Sequence, residues 1–434
     1  MRIYLQTLGC KVNQYETQAM ERILLERGHE LAPEPAGCDV CVVNTCAVTA
    51  ESGRKSRQAV RRLRGLCPDA VIAVCGCYSQ ISPEDAAALG ADLVAGSGGR
   101  AAFLDALERT AADRAPQVLV DNALRRRTFE VLPAGNLAGR TRAMLKIQDG
   151  CSNFCAYCII PYARGPVRSL PLEDAAAEAE RLGAAGYREI VVTGIEIASY
   201  GRDLPGKPTL ADAVCAVADA APGVRIRLGS LEPRVVTEDF CRRLSALPTL
   251  CPHFHLSLQS GCDATLERMR RRYDTARFYE SVSLLRARFP NCGLTADLIV
   301  GFPGETEAEF EATLAFLRRC AFSAMHIFPY SRRPGTPADK MPDQRTAAEK
   351  HDRARRAAAA AAECGAAFLR AQIGKTLSVL FEQEADGVSR GHAGNYCEVC
   401  TPGTGLRNTV RRVRITGTDG ALLTGVPEDE EGAC

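Results

Sequence analysis

AMLKIQDGCSNFCAYC, residues 143–158, joins an apolar strand-like run to three cysteines, Cys151, Cys155 and Cys158, spaced C-x-x-x-C-x-x-C. Three thiolates on one tight loop can hold three irons of a [4Fe-4S] cluster and leave the fourth iron open. An open iron can bind a substrate or cofactor, so the spacing points to chemistry rather than to electron storage alone. Tyr157, just before the last cysteine, adds an aromatic group to the loop. The alternatives are three ordinary thiols or a zinc site lacking its fourth ligand, but zinc pairs usually read C-x-x-C twice.

Outward from this loop the alternation of strand and helix sets the architecture. The chain has 434 residues, of which 46% are hydrophobic, enough for about three domains of ~100–200 residues with substantial cores. Before the loop, strand-like Ile3–Leu8, Asp39–Asn44 and Val71–Val74 alternate with helical patterns at Asn13–Arg27, Glu51–Arg64, Pro83–Leu89 and Arg100–Ala112. Apolar strands separated by amphipathic helices predict a doubly wound parallel sheet over residues 1–113. Residues 114–142, with the arginine-bearing stretch Arg125–Arg142, read as a linker. From 143 to 371 six strand patterns recur, at Met144–Gln148, Glu189–Val192, Arg225–Leu228, His253–Leu258, Gly293–Val300 and Ser323–Phe328. Six β/α units predict a partial barrel, followed by a helix over Gln344–Ala371. Residues 372–434 change to short β-like pieces, Thr376–Phe381 and Tyr396–Val399, between Gly-rich turns, and read as a small antiparallel β-barrel with an acidic tail at Glu428–Glu431.

The net charge of +2 says little about partners, so local basic clusters carry any nucleic-acid argument. There are 20 cysteines. A strand-like run at the start leaves no room for a secretion signal, and no apolar run is long enough to span a bilayer. A cysteine-rich chain of this kind is expected in a reducing cytoplasm, where thiols bind metal or stay free.

A second triad emerges from the strand ends. Cys10 closes QTLGC, Cys46 closes VVNTC and Cys77 lies in VCGC, each just after one of the first three strands. In an open α/β sheet the C-terminal strand ends converge on one crevice where ligands bind, so these distant cysteines are expected to meet. Small buried cysteines at strand ends are the alternative. Cys38/Cys41 and Cys397/Cys400 are lone C-x-x-C pairs and read as structural.

TLGCKVNQYET, VVNTCAVTAES and GCYSQ resemble the N-terminal domain of the methylthiotransferases, a radical S-adenosylmethionine (AdoMet) family. The resemblance selects Cys77 over Cys75. It extends in order through IQDGCSNFCAYCIIPYARGPVRS, RLGSLEP, HLSLQSGCDATLERMRRRY, DLIVGFPGETEAEF and HIFPYSRRPGTPA, and the C-terminal piece resembles the family's RNA-binding TRAM barrel. The middle motifs are similar to the bacterial branch that modifies threonylcarbamoyladenosine in tRNA. Glu196 stands where that branch more often has His, Ala198 where Gly is usual and Gly229 where Ser is common.

The resemblance implies two [4Fe-4S] clusters, held by Cys10, Cys46 and Cys77 and by Cys151, Cys155 and Cys158. It implies an AdoMet site including Tyr157, Gly194, Glu196, Ser257 and Gln259, with no catalytic residue assigned beyond the clusters. The loop cluster would cleave AdoMet to a 5′-deoxyadenosyl radical that removes hydrogen from carbon 2 of the modified adenosine. The first triad's cluster would supply sulfur, methylated by a second AdoMet. tRNA, an electron donor such as flavodoxin or ferredoxin and a sulfur source are the implied partners. Sister activities on isopentenyladenosine or on a ribosomal-protein aspartate, and a non-catalytic iron–sulfur RNA-binding regulator, are the alternatives. Arginines cluster at 54–64, at 268–272 and at 407–414; the TRAM resemblance makes the last group the best RNA contact.

Overall fold

The computed structural model of the chain describes residues 1–133 and 140–428; part of the expected linker and most of the acidic tail lie outside them. The first sheet has six parallel strands in the spatial order Glu30–Leu31, Arg2–Thr7, Val40–Thr45, Val71–Gly76, Leu93–Ala95, Gln117–Leu119. Val40–Thr45 and Val71–Gly76 are buried at every position, which is why they read as unbroken apolar runs rather than as alternating ones. The last strand falls within the stretch expected as a linker: Leu93, Val94 and Ala95 pair with Gln117, Val118 and Leu119. Its exposed valine and leucine at 118 and 119 gave no burial pattern to read.

Six parallel segments build the central half-barrel: Arg142–Asp149, Glu189–Gly194, Arg225–Leu231, His253–Gln259, Gly293–Val300 and Ala324–Pro329. Arg225–Leu228 pairs back to Glu189–Val192, and Ser230–Leu231 pairs forward to His255–Leu256. The switch occurs at Gly229, whose amide donates to the Val192 carbonyl at 2.8 Å. The helix Ala347–Arg370 opens with a capping box between Thr346 and Glu349, which satisfies its first free amides. Five strands then close a small barrel in the order Thr376–Ala385, Val388–Ala393, Glu398–Pro402, Leu423–Pro427, Val410–Thr418. No helix among the described residues is long and apolar enough to cross a membrane.

The three parts are locked together by side chains. Tyr15 and Ala19 of the helix Lys11–Glu26 belong to the same apolar core as Leu145 and Ile147 of the half-barrel. Ile159 and Ala163, which follow the cysteine loop, pack into the apolar layer of the first sheet with Cys77 and Tyr78. At the other end, Arg227 donates to the Gly394 carbonyl at 2.9 Å, Arg142 pairs with Glu382 at 2.6 Å and His253 stacks on Tyr396 at 4.5 Å.

Candidate functional site

The first sheet reverses its strand order between Arg2–Thr7 and Val40–Thr45, and a crevice opens outside the carboxyl ends of strands at such a point. Cys10 follows the first of these strands, Cys46 the second, and Cys77 the next strand along. The structure brings the three together: each thiol acts electrostatically on at least one of the others, closing the set Cys10–Cys46, Cys46–Cys77 and Cys77–Cys10. Two glycines make the approach possible. At Gly9 a Cβ would lie 2.7 Å from the Cys46 Cβ, and at Gly76 it would lie 2.5 Å from the Thr45 carbonyl; both have φ near +106°, a conformation that glycine adopts without penalty.

Beneath this triad lies a residue that the sequence reading did not single out. Arg164, fully buried, donates from Nε to the Cys77 sulfur at 3.2 Å and from Nη2 to Asn13 Oδ1 at 2.6 Å, and it pairs with Glu16. Glu16 also meets Arg100 at 2.8 Å and Lys146 at 3.4 Å. Burial opposes ionisation of Glu16, but the surrounding Arg164, Arg100 and Lys146 outweigh it and hold the carboxylate far below the ordinary range. Burial pushes the Cys77 thiol up, and Arg164 works against that rise. A thiolate at Cys77 therefore has a cation already in place.

The second triad lies on the loop after Arg142–Asp149. Its path is set by Gly150, with φ +75°, where a Cβ would lie 1.9 Å from the Pro166 carbonyl oxygen. The Cys151 amide donates to the Gly165 carbonyl at 2.9 Å and the Cys158 amide to the Cys155 carbonyl at 3.0 Å. Burial pushes Cys151 and Cys158 up to about 12, and each also feels Cys155. Arg271 donates to the Cys155 sulfur at 3.1 Å, and its Nε donates to the Tyr273 hydroxyl at 3.1 Å. Arg271 thus faces inward. It belongs to the basic cluster noted at 268–272, and Arg268 of that cluster is likewise engaged, with Glu309 at 2.7 Å. Nothing in a cluster of four arginines distinguishes the half-buried Arg271 from its exposed neighbours Arg270 and Arg272.

Among the described residues no three Cys, His, Asp or Glu donors converge on one point.

The residues expected around AdoMet divide into two groups. Glu196 is held by Gln148, whose side-chain oxygen accepts from its amide at 2.7 Å, and Ser199 donates to Oε2. Its other oxygen, Oε1, is buried with no partner among the described residues, and burial raises the carboxyl above its usual value. Glu196 is close enough to Cys151 to raise that thiol. An acceptor left unsatisfied beside the loop fits a ligand ammonium group, because a buried oxygen without a partner is costly. Gly194 pairs with Gln148 across the sheet, and a Cβ there would lie 2.7 Å from the Gln148 carbonyl. Ser257 meets Ser230, hydroxyl to hydroxyl, at 3.1 Å.

Tyr157 and Gln259 line a different face: a cavity of about 250 Å³ together with Cys158, Asp297, Ile299 and Tyr330. Gln259 reaches it through an irregularity in the strand pairing between Leu256 and Gln259 and a left-handed φ of +66°, strain of a kind that persists where surroundings enforce it. Val48 and Thr49, immediately after Cys46, line it as well. The cavity therefore touches the chain next to both triads. Asp297, paired with His255 at 3.1 Å, lines it too; the sequence reading placed it only in a strand, and a lone carboxylate in an apolar strand run was its one signal.

Residues 145–317 match the radical SAM superfamily, and residues 2–96 match the uncharacterized protein family UPF0004. The chain is 39% identical to the threonylcarbamoyladenosine tRNA methylthiotransferase MtaB of Bacillus subtilis, over 92% of this chain and 90% of that protein. It is 36% identical to the protein of the same name from Thermotoga maritima, over 88% and 86%. It is 32% identical to the tRNA-2-methylthio-N(6)-dimethylallyladenosine synthase of Symbiobacterium thermophilum, over 96% and 92%. Among solved structures, the radical S-adenosylmethionine methyltransferase TsrM from Kitasatospora setae, with cobalamin and a [4Fe-4S] cluster bound, superposes with a TM-score of 0.55 at 16% identity, over 90% of this chain and 80% of that one. At that identity the likeness concerns the fold.

Proposed function

The chain belongs to the radical AdoMet tRNA methylthiotransferases, enzymes that use AdoMet and [4Fe-4S] clusters, and we propose that it methylthiolates carbon 2 of threonylcarbamoyladenosine beside the anticodon. The observation that carries this reading is the 250 Å³ cavity lined both by Cys158 and by the residues after Cys46. A reaction that draws hydrogen abstraction from one cluster and sulfur from another needs the target carbon between them. The names of the relatives support the choice of nucleoside.

When bound, the clusters and AdoMet supply one-electron reduction, hydrogen abstraction and the methylthio group. The chain's own residues do the rest. Cys151, Cys155 and Cys158 would hold one cluster, with Arg271 donating to the Cys155 sulfur at 3.1 Å. Cys10, Cys46 and Cys77 would hold the other, with the Arg164 guanidinium on the Cys77 sulfur. Glu196, whose Oε1 has no partner among the described residues, would take the methionine ammonium of AdoMet, Gly194 would leave room for it at the strand, and Ser257 and Gln259 would bind polar atoms of AdoMet or substrate. Tyr157, Phe302 and Tyr330, in edge-to-face contact at 6.5 and 5.2 Å, form an aromatic wall that keeps water from the reacting carbon. Placement and exclusion of water are the protein's contribution.

Within this reading, residues 1–113 carry the sulfur-donating cluster, 143–371 the AdoMet cluster, and 372–434 contact tRNA. A flavodoxin- or ferredoxin-type donor supplies electrons, a separate carrier supplies sulfur, and the work takes place in the cytoplasm. The test is nucleoside mass spectrometry of tRNA from a deletion strain, joined to anaerobic assays with reconstituted protein. Loss of 2-methylthio-threonylcarbamoyladenosine, restored by the purified enzyme with AdoMet and reductant, is the expected result. Loss of the 2-methylthio-isopentenyl nucleoside instead would reassign the substrate.

A further inference from the structure

A further group of side chains stands beside the first triad. Gly53, in the helix Ala50–Leu66, presents a bare surface to which three groups converge: the position of a Cβ there lies 3.6 Å from Arg57 Nη1, 3.8 Å from Arg333 Nη1 and 3.8 Å from the Tyr78 ring. Two guanidinium groups thus stand next to each other, although like charges repel. Among the described residues neither has a carboxylate within ion-pair distance, whereas nearly every other half-buried arginine of the half-barrel and first sheet has one, as Arg64 has Asp92 at 2.5 Å and Arg268 has Glu309 at 2.7 Å. Arg333 Nε is buried with no hydrogen-bond partner, and so is the hydroxyl of Tyr78, which is 4% exposed. Two cations with no carboxylate beside them, one of them 5.8 Å over the Tyr78 ring, and an unsatisfied Arg333 Nε are costly unless something anionic completes them.

The location says what that is. Arg333 belongs to a strap fixed at both ends. The Ser331 hydroxyl accepts from the Ala50 amide at 2.9 Å. The Ala338 amide donates to the Ala156 carbonyl, inside the cysteine loop, at 2.8 Å. Between them the Thr336 amide and hydroxyl both donate to the Arg333 carbonyl, at 3.1 and 2.7 Å. Ser331 and Thr49, at the start of the Gly53 helix, line the cavity assigned above to the target nucleoside. Arg333 is also near enough to Cys46 for the two charges to act on each other. The pair of arginines therefore flanks the cavity on the side of the sulfur-donating triad, with a forked geometry suited to two oxygens of one anion.

We propose that Arg333 and Arg57, beside the Tyr78 ring, form an anion subsite for the tRNA substrate, taking a pair of anionic oxygens on or next to the target nucleoside. This rests on the reading of the cavity as the nucleoside site. Two groups in the substrate have that chemistry: the carboxylate of the threonylcarbamoyl side chain, and a backbone phosphate flanking the target.

The experiment uses anaerobically reconstituted full-length protein and two anticodon stem-loop RNAs, identical except that one carries threonylcarbamoyladenosine and the other adenosine at the target position. Binding is measured as a function of salt for the wild type, Arg333→Gln and Arg57→Gln, with iron content as a check on folding. Losing a charge-assisted contact of this kind weakens binding roughly 10- to 100-fold. If the carboxylate is the ligand, that loss falls on the threonylcarbamoyl RNA alone and the two RNAs become equal. If a phosphate is the ligand, both RNAs lose equally and the salt slope falls by about 1. Unchanged affinities and slopes with both RNAs in both variants overturn the proposal, whatever the iron content, and leave the arginines as counter-charges to the thiolates. Arg57, on the surface of its helix, keeps the test open if Arg333→Gln does not fold. Because the readout is binding, a wild type that bound the RNA but failed to methylthiolate it would sink the functional reading and leave this one standing.

Discussion

Replacing Arg164 tests how the two triads are coupled. This arginine ends the short helix Ile160–Arg164 directly after the cysteine loop, yet its guanidinium contacts Cys77 at 3.2 Å, Asn13 at 2.6 Å and Glu16, all in the first sheet's domain. Arg164→Met keeps the bulk and removes every one of these contacts. Glu16 then keeps only Arg100 and Lys146, and the Cys77 thiolate loses its donor. Removing one partner from a buried ion network costs about 3–5 kcal/mol. With a urea slope of about 2 kcal/mol/M, the unfolding midpoint should fall by about 1.5–2.5 M. Arg164→Lys keeps the charge but cannot fork to three acceptors at once; losing the Asn13 and Cys77 contacts should cost about 2–4 kcal/mol. The chemical readout is iron. Arg164→Met should hold about half of the wild-type iron after anaerobic reconstitution, since the loop of Cys151, Cys155 and Cys158 has its own hydrogen bonds. An Arg164→Met protein with an unshifted midpoint and full iron would refute the claim that this residue supports the first triad, and selective loss of the loop cluster would show that its role is to anchor the loop.

The triads themselves should be separable: replacing Cys151, Cys155 and Cys158 with Ala should leave about half the iron, from one of two four-iron clusters, and abolish 5′-deoxyadenosine formation. Replacing Cys10, Cys46 and Cys77 should spare that cleavage and abolish methylthiolation; loss of both activities would contradict the division of labour. Acid should loosen the joint with the C-terminal barrel, because Glu189 is held at about 2 by Arg227, Arg225 and Arg142 against burial, below its ordinary 4.5. A depressed folded value means that the stabilisation, about 3 kcal/mol, is complete above pH ~4.5 and is lost as pH falls toward 2; denaturation measured across that window should be about one proton less pH-dependent in Glu189→Gln. Arg412→Glu with Arg414→Glu, on the exposed face of Val410–Thr418, should lower tRNA affinity and reduce the salt slope by about 2 if this face meets phosphates; unchanged binding at low and moderate salt would move the RNA contact to the helix bearing Arg57 and Arg61.

The architecture was legible because its strands carry strong local signals. Val40–Thr45 and Val71–Gly76 are buried on both faces, so they stand out as apolar runs, and the cysteines that end them mark the crevice. The three-part order and the closed C-terminal barrel follow from the same kind of pattern. What escaped was set by tertiary contacts. Gln117–Leu119 is a strand only because Leu93–Ala95 offers it an edge. Arg164, Arg271 and Arg333 look like any other arginine in the sequence, and only the fold shows that two of them meet a thiol and that the third has no carboxylate near it. The C-x-x-C pair Cys38/Cys41 also has a neighbour that its local spacing does not show. Cys67, distant in sequence, lies near both and raises Cys41, which burial pushes up to about 12.

The joint between the first sheet and the half-barrel is made of buried charges as well as of apolar contacts. Glu16 from the first helix, Arg100 from a later one, Lys146 from the first barrel strand and Arg164 from the segment after the cysteine loop converge within 3.4 Å contacts. Apolar surfaces can slide by an ångström at little cost, whereas a carboxylate shared among three buried cations has one arrangement in which every donor is satisfied. The chemistry needs that uniqueness. On the proposed function, a sulfur-donating cluster at Cys46 and a radical-generating cluster at Cys158 would have to address one carbon in a cavity of about 250 Å³, and an ångström of misplacement between domains can cost about 100-fold in rate. The buried network therefore matters less for how stable the joint is than for where it fixes one triad relative to the other. A conservative change such as Glu16→Asp, which shortens the reach without removing the charge, should accordingly slow methylthiolation more than it slows 5′-deoxyadenosine release, because only the former reaction spans the joint.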